Sequence, residues 1–205
     1  MGWWSEHIVP RMVDTCLGSA DVATLRTRAT DGLTGDLVEV GFGSGHNVAH
    51  YPDKVTGVWA VEPSDVAWSL AAPRMAGDSV PVRRAGLDGQ ALRLPADRFD
   101  SALSTFTLCT IPDPVAALTE LRRVLRPGGR LHFLEHGRSP DASVARWQDR
   151  LQPVQQRVAG GCHLNRPIPD ILRRSGLVVE ELDAFYARGP KVLAYVFLGR
   201  ARKAA

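Results

Sequence analysis

From residue 36 onward, short β-type apolar runs alternate with helical patterns, and this alternation constrains the fold more than any other feature of the chain. The runs cover 37–40, 55–61, 80–85, 100–105, 130–135, 177–183 and 191–199. Strands separated by helices predict an α/β fold: a seven-stranded, mostly parallel sheet with helices on both faces. Only the last two runs lack room for a helix between them, because "DAFYARGP" is too short for a right-handed crossover. They are therefore expected to form an antiparallel hairpin, making the last strand antiparallel to the rest.

The plainest helix opens at Asp113 as N-cap, with Pro114 in the first helical position and Val115, Leu118, Leu121 and Leu125 along one face. "RPGG" at 126–129 is expected to stop it. Two stretches stand outside the repeat: residues 1–30, read as a helical cap, and a helical insert at 140–166. Both are expected to cover the carboxyl end of the sheet, where such folds bind ligands. Within the insert, Val144, Trp147, Leu151 and Val154 recur at helical spacing, which predicts an apolar face packed on the core, with a substrate as the alternative. Trp3, Trp4, Ile8 and Met12 are expected to close the other side, walls that suit a hydrophobic acceptor.

A length of 205 residues fits one domain spanning 1–205. The formal net charge of +3 is too small a surplus to imply a nucleic-acid partner. Cys16, Cys109 and Cys162 are scattered without a CxxC pair, so neither a disulfide framework nor a zinc ribbon is expected, and a reducing, cytoplasmic location is. The first residues lack the apolar core of a signal peptide, and Glu6 breaks the myristoylation pattern. No run approaches the roughly 18 apolar residues of a membrane span, so no integral membrane segment is expected. Oligomeric state is not legible.

"VEVGFGSGHN", 38–47, places three glycines at every second position after the first strand. A phosphate-binding loop would need Lys and then Ser or Thr where His46 and Asn47 stand. A dinucleotide fingerprint would need its third glycine one residue later than Gly45. A bare strand-to-helix turn stays open as a reading. The second strand runs into Glu62, about 20 residues beyond the glycines, where an acid can grip both hydroxyls of a ribose.

The pattern Glu39-x-Gly41-x-Gly43-x-Gly45 resembles motif I of class I S-adenosylmethionine (SAM)-dependent methyltransferases, whose Rossmann-like sheet also carries an antiparallel last strand. Residues 99–137 look like the fourth and fifth strands of the ubiquinone/menaquinone-type enzymes. Leu108-Cys109, Glu135-His136 and "GCHLNR" at 161–166 are similar to the thiol methyltransferase-like branch. The resemblance implies SAM as cofactor, with Glu39 near the methionine ammonium. It assigns Gly41, Phe42, Gly43, Ser44 and Gly45 to the loop around the cofactor, Glu62 to the ribose, Pro63 and Ser64 to the adenine side, and Thr105 to the same site. Asp88 matches the acid that accepts from the adenine amino group, although "LRLP" replaces the family's Leu-Pro-Phe downstream; an exposed turn is its alternative.

The reaction implied is methyl transfer to a small, apolar molecule through a thiol, a hydroxyl or an activated carbon. Nucleobase enzymes of this fold carry Asn/Asp-Pro-Pro-aromatic where "STFT" stands at 104–107, which disfavours a DNA or RNA substrate. Because SAM is already a strong electrophile, the protein's task is alignment in a dry pocket. If the acceptor must lose a proton, His136 is the first candidate base, with Glu135 orienting it or meeting the substrate; a hydrogen bond to the chain turn is the alternative for His136. His163 is a second candidate, or else part of a structural connector. "HFLEH" at 132–136 matches H-x-x-E-H, but a strand points Glu135 away from His132 and His136, so no metal is expected. Cys109 is not expected to act as a nucleophile, since nothing nearby in sequence would activate it. Two other readings remain: a SAM-binding non-catalytic partner or sensor, and a nicotinamide-dependent reductase.

Overall fold

The computed structural model describes residues 3–204. Seven strands, β1 Gly35–Val40, β2 Val55–Val61, β3 Val82–Gly86, β4 Phe99–Thr105, β5 Leu125–His136, β6 Val178–Tyr186 and β7 Tyr195–Arg202, form one sheet in the order β3-β2-β1-β4-β5-β7-β6. β1 pairs in parallel with β2 and β4, as do β2 with β3 and β4 with β5, whereas β7 runs antiparallel to both β5 and β6. The strand order reverses between β1 and β4, so their tips flank the crevice where ligands enter open α/β sheets.

The helices are α1 Val9–Leu17, preceded by a π-helical turn at Trp4–Ile8, then α2 Ala20–Thr30, α3 Asp65–Ala76, α4 Pro114–Val124, α5 Ala142–Val158, α6 Ile168–Arg174 and the short α7 Lys191–Ala194. α4 starts as its sequence demands: the Asp113 carboxylate accepts the N–H groups of Val115 and Ala116, each at 3.0 Å, and Pro114 needs no donor there. Its buried face is Ala117, Leu118, Leu121 and Val124. Burying a leucine fully contributes roughly 1.5–3 kcal/mol, so this face binds the helix firmly to the sheet. Leu125, expected on the helix, is already extended and opens β5, so the helix stops one residue before "RPGG". Those residues form an irregularity in the β4–β5 pairing instead.

The period-2 pattern of β1 sends Val38 and Val40 to one core and Leu37 to the other. The first core includes Ala102, Leu118, Leu121, Phe133 and Leu172; the second holds Val58, Ala60, Ala71, Leu103 and Phe42. β7 begins later than its apolar pattern suggests, because Lys191–Ala194 makes a helical turn after Pro190. β6 is the outer strand, exposed along most of its length, and its pairing with β7 is interrupted by a bulge between Val179 and Glu181.

The apolar stripe of α5 departs from expectation. Val144 is buried, but Trp147, Leu151 and Val154 are 53%, 37% and 57% exposed. The buried face of α5 is fixed instead by Gln148, whose amide donates to Gly137 O and Val192 O and accepts from Ser139 N. A buried amide left without partners would be costly, which outweighs the pull of the stripe. Trp3 and Trp4 are exposed too, and the Trp4 indole N–H donates to Val158 O at 3.1 Å, linking the N-terminal turn to the end of α5. No described helix is long and apolar enough to cross a membrane.

Candidate active site

The loop after β1 is shaped by glycines with two different tasks. Gly41 has φ +74°, and a Cβ there would lie 1.9 Å from Thr107 Oγ1, so this glycine lets the loop after β4 pack against it. Gly43 has φ +59° and an open side: an added Cβ would meet only Gly41 O, at 3.9 Å. Backbone turns of this hand suit glycine, and the open one can accept a close ligand.

Glu62 ties that open glycine to β2. Its Oε2 accepts the Gly43 N–H and its Oε1 the Ser64 N–H, both at 2.7 Å. Burial raises its pKa, while the two N–H groups and Arg84 pull it back. Each carboxylate oxygen keeps a further lone pair, the acceptor set that a vicinal diol requires. Ser64 caps α3 by accepting from Ala67 N, and Pro63 is exposed beside it. Asp88, two residues beyond β3, is exposed and accepts through Oδ1 from Gln90 N and Gln90 Nε2, the bonding of a turn residue.

Glu39 has no accessible surface. Its Oε1 accepts from Asn47 Nδ2 at 2.7 Å and its Oε2 from the Tyr51 hydroxyl. Burial raises its pKa to about 7 against the pull of Tyr51, Asn47 and Arg26. Both oxygens of Glu39 are thus engaged by residues that follow the glycine loop. Thr105 belongs to the same network: its hydroxyl accepts from Asn47 Nδ2 at 2.9 Å and from Arg26 at 3.0 Å. Arg26 also donates to Asn47 Oδ1 at 2.7 Å, is almost wholly buried, and has no hydrogen-bond partner at Nε. The Phe42 ring is buried against Trp68 at 5.4 Å, so its side chain serves the core and only its backbone serves the loop.

α1 closes over the outer side. The Ser44 hydroxyl donates to Asp14 Oδ1 at 2.6 Å, and the same carboxylate lies 2.9 Å from His46 Nε2 and 3.1 Å from Arg74. Burial would raise the Asp14 pKa, but Ser44, Arg74 and His46 together hold it below the usual carboxylate range. Gly45 brings the loop close to α3, where an added Cβ would stand 3.1 Å from Ala71 Cβ.

On the other side of the crevice, Glu135 is fully buried and organises the loop after β4. It accepts from Ser104 Oγ at 2.7 Å, Thr107 N at 2.9 Å and Leu108 N at 3.1 Å. Burial raises its pKa to about 7, and these donors oppose the rise. A wholly buried carboxylate needs donors, and here the loop after β4 supplies them. His132 bonds through Nδ1 to Ala29 O at 2.9 Å, so the side chains of "HFLEH" go to separate partners.

His136, at the tip of β5, is half-buried, with Nε2 3.1 Å from Cys162 Sγ. Burial alone would lower its pKa, but Cys162 and Glu135 raise it. Cys162 is pushed down by hydrogen bonds from Cys109 and His136 against the effect of burial, and Cys109 is pushed up by Cys162 and by burial. The fold thus gives Cys109 the neighbours that its sequence surroundings lack. The His163 backbone N–H donates to Cys109 O at 2.9 Å, its Nδ1 lies 3.1 Å from the same oxygen, and its Nε2 lies 2.6 Å from the Gln156 amide. Arg166 donates to Leu108 O at 2.5 Å, fastening "GCHLNR" to the same loop.

Residues 38–133 match the family described as methyltransferase domain. Thiol S-methyltransferase TMT1B of Rattus norvegicus is 35% identical over 136 residues, covering 63% of this chain and 54% of that protein. The ubiquinone/menaquinone biosynthesis C-methyltransferase UbiE of Geobacter sulfurreducens is 33% identical over 132 residues, 64% of this chain and 43% of its own. The chain spans about half the length of the curated relatives it matches. A crystal structure of an S-adenosylmethionine dependent methyltransferase from Mesorhizobium loti aligns with a TM-score of 0.65 over 90% of this chain and 98% of that one, at 19% identity, a likeness of fold.

Proposed function

We propose, from the match of residues 38–133 to the methyltransferase-domain family, that the chain is a SAM-dependent methyltransferase acting on a small, apolar acceptor through a thiol, hydroxyl or activated carbon. The observation that carries this reading is the Glu62 carboxylate joined to the open Gly43 and to Ser64. Its spare lone pairs suit the ribose hydroxyls, and the open side of Gly43 admits the cofactor without a side chain in the way. Arg26, buried with a free Nε donor, offers a cation suited to the cofactor's carboxylate, while Glu39, Asn47 and Thr105 hold that guanidinium in place.

When bound, SAM supplies a methyl group on a sulfonium. The chain's own work is to align the acceptor and to deal with its proton. Glu135 fixes the loop of Thr107 and Leu108, and that loop carries Cys109 to His136 and Cys162. Since Nε2 of His136 is already engaged with Cys162 Sγ, proton acceptance belongs to the pair rather than to the imidazole alone. Three free cysteines suit a reducing cytoplasm.

The test is incubation with SAM and a panel of thiols, phenols and quinols, followed by detection of S-adenosylhomocysteine. Turnover with a member of the panel is expected. SAM binding by calorimetry without turnover would favour a binding partner or sensor, and the absence of SAM binding would remove the reading entirely.

A further inference from the structure

Proton acceptance by the His136–Cys162 pair does not account for a second cysteine, Cys109, meeting them at the same point. Cys109 comes from the loop after β4, His136 from the tip of β5 and Cys162 from the connector after α5, and their ligand atoms all lie within 4.8 Å of one another. In a tetrahedral zinc site, with bonds of about 2.3 Å to sulfur and about 2.0 Å to nitrogen, two sulfurs and one nitrogen stand roughly 3.5–3.8 Å apart. Cys162 Sγ and His136 Nε2, 3.1 Å apart, lie slightly inside that spacing, and no pair in the cluster exceeds 4.8 Å.

Charge favours a dication here. Two thiolates neutralise it, so the buried group carries no net charge, and desolvation costs less than it would for either partner alone. The ligands are also held from behind. Cys109 O accepts from the His163 backbone, Leu108 O from Arg166, and Leu108 N donates to Glu135, so the loop bearing Cys109 is braced on both sides. Bracing of this kind orients metal ligands before the ion arrives. The rival account is apolar packing, since Cys109 and Cys162 also touch Leu164 and Ala159. Packing does not explain an imidazole nitrogen directed at the sulfur.

We propose that Cys109, His136 and Cys162 bind a divalent, thiophilic cation of the zinc class, leaving a fourth position for the sulfur of an acceptor thiol. The thiol part rests on the methyltransferase reading above; the cation part does not. An acceptor R–SH loses its proton to water on coordination, because a metal-bound thiol is deprotonated. The thiolate then attacks the methyl carbon. The new S–CH3 bond forms as the sulfonium S–CH3 bond breaks, its electron pair stays on S-adenosylhomocysteine, and the neutral thioether, a weaker ligand, departs. With the cation bound, His136 and Cys162 act as ligands in place of the proton-accepting role given to the pair above, and no protein base is needed.

The reduced, chelator-stripped full chain is titrated anaerobically with Co2+. The expected result is thiolate-to-cobalt charge-transfer absorption together with the visible bands of four-coordinate cobalt, both removed by Zn2+. Benzyl mercaptan is expected to change the visible bands. Cys109→Ser and Cys162→Ser are each expected to abolish the charge-transfer band, with circular dichroism showing that the variants fold. Absence of the band in the parent protein, or its survival in folded Cys162→Ser, overturns the site; visible bands indifferent to benzyl mercaptan overturn the open fourth position. SAM calorimetry on the same samples separates the two readings. Cobalt bands without SAM heat sink the methyltransferase reading alone, whereas SAM heat without cobalt bands sinks the cation site alone.

Discussion

Glu62 accepts the Gly43 N–H at 2.7 Å, so the acid at the end of β2 and the open glycine after β1 act as one unit. The same carboxylate holds Ser64, which caps α3, and the unit therefore joins three elements at the place where a ribose is expected.

Glu62→Ala is expected to weaken SAM by about 1.5–3 kcal/mol, the size of a charge-assisted hydrogen-bond pair, or roughly 10- to 150-fold in Kd. Isothermal calorimetry measures it. A Kd within twofold of the parent value would take Glu62 out of the cofactor site.

The two glycines are expected to respond differently to alanine. Gly41→Ala forces Cβ onto Thr107 in addition to its left-handed φ, and loses about 2–4 kcal/mol of stability in urea unfolding. Gly43→Ala meets open space, so it loses only about 1–2 kcal/mol from backbone strain but blocks SAM. Equal stability losses in the two variants would contradict the division of tasks.

Glu135→Ala removes the acceptor shared by Ser104, Thr107 and Leu108, and at least about 3 kcal/mol of stability is expected to go with it. Glu135→Gln, which keeps a carbonyl oxygen, is expected to cost less. Hydrogen exchange at the Thr107 and Leu108 amides should quicken in both. A fall in kcat with stability untouched would instead place Glu135 against the substrate.

Burial lowers the His132 pKa from 6.5 to about 4, against the hydrogen bond to Ala29 O. Between those values the unfolded chain takes up a proton that the folded chain refuses, so stability is intact above about pH 6.5 and is lost as pH falls toward about 4. Between pH 7 and pH 5 this single group costs about 2 kcal/mol. Urea unfolding at the two pH values is expected to show that much less acid loss in His132→Gln than in the parent. Identical losses would mean that His132 is protonated in the folded protein.

The parts of the fold that were legible in sequence are those governed by local pattern. Alternating apolar runs gave seven strands in the right order along the chain, the short link before β7 required an antiparallel partner, and Asp113-Pro114 marked a helix start that the hydrogen bonds bear out. The glycine loop and Glu62 were legible for the same reason, as each lies in one short stretch. Asp14 and Arg26 were not, because they reach the site from α1 and α2 and carry no spacing relative to it; Asn47 and Tyr51 follow the glycines directly, but nothing in their spacing says that they turn back onto Glu39. The meeting of Cys109 with His136 and Cys162 was hidden in the same way. α5 was misread for another cause: helical periodicity shows that one face is apolar, but not that it lies inward, and Gln148 decided the orientation.

The bulge in β6 has a consequence for the company this protein keeps. A strand from another copy approaching that side would find a kinked backbone behind a fence of ion pairs: Glu180 with Arg130 and Arg202, Glu181 with Arg200, and Asp183 with Arg28. Such an edge is a poor template for further pairing. The chain thereby guards the one long flank of its sheet where copies could otherwise knit together into fibres.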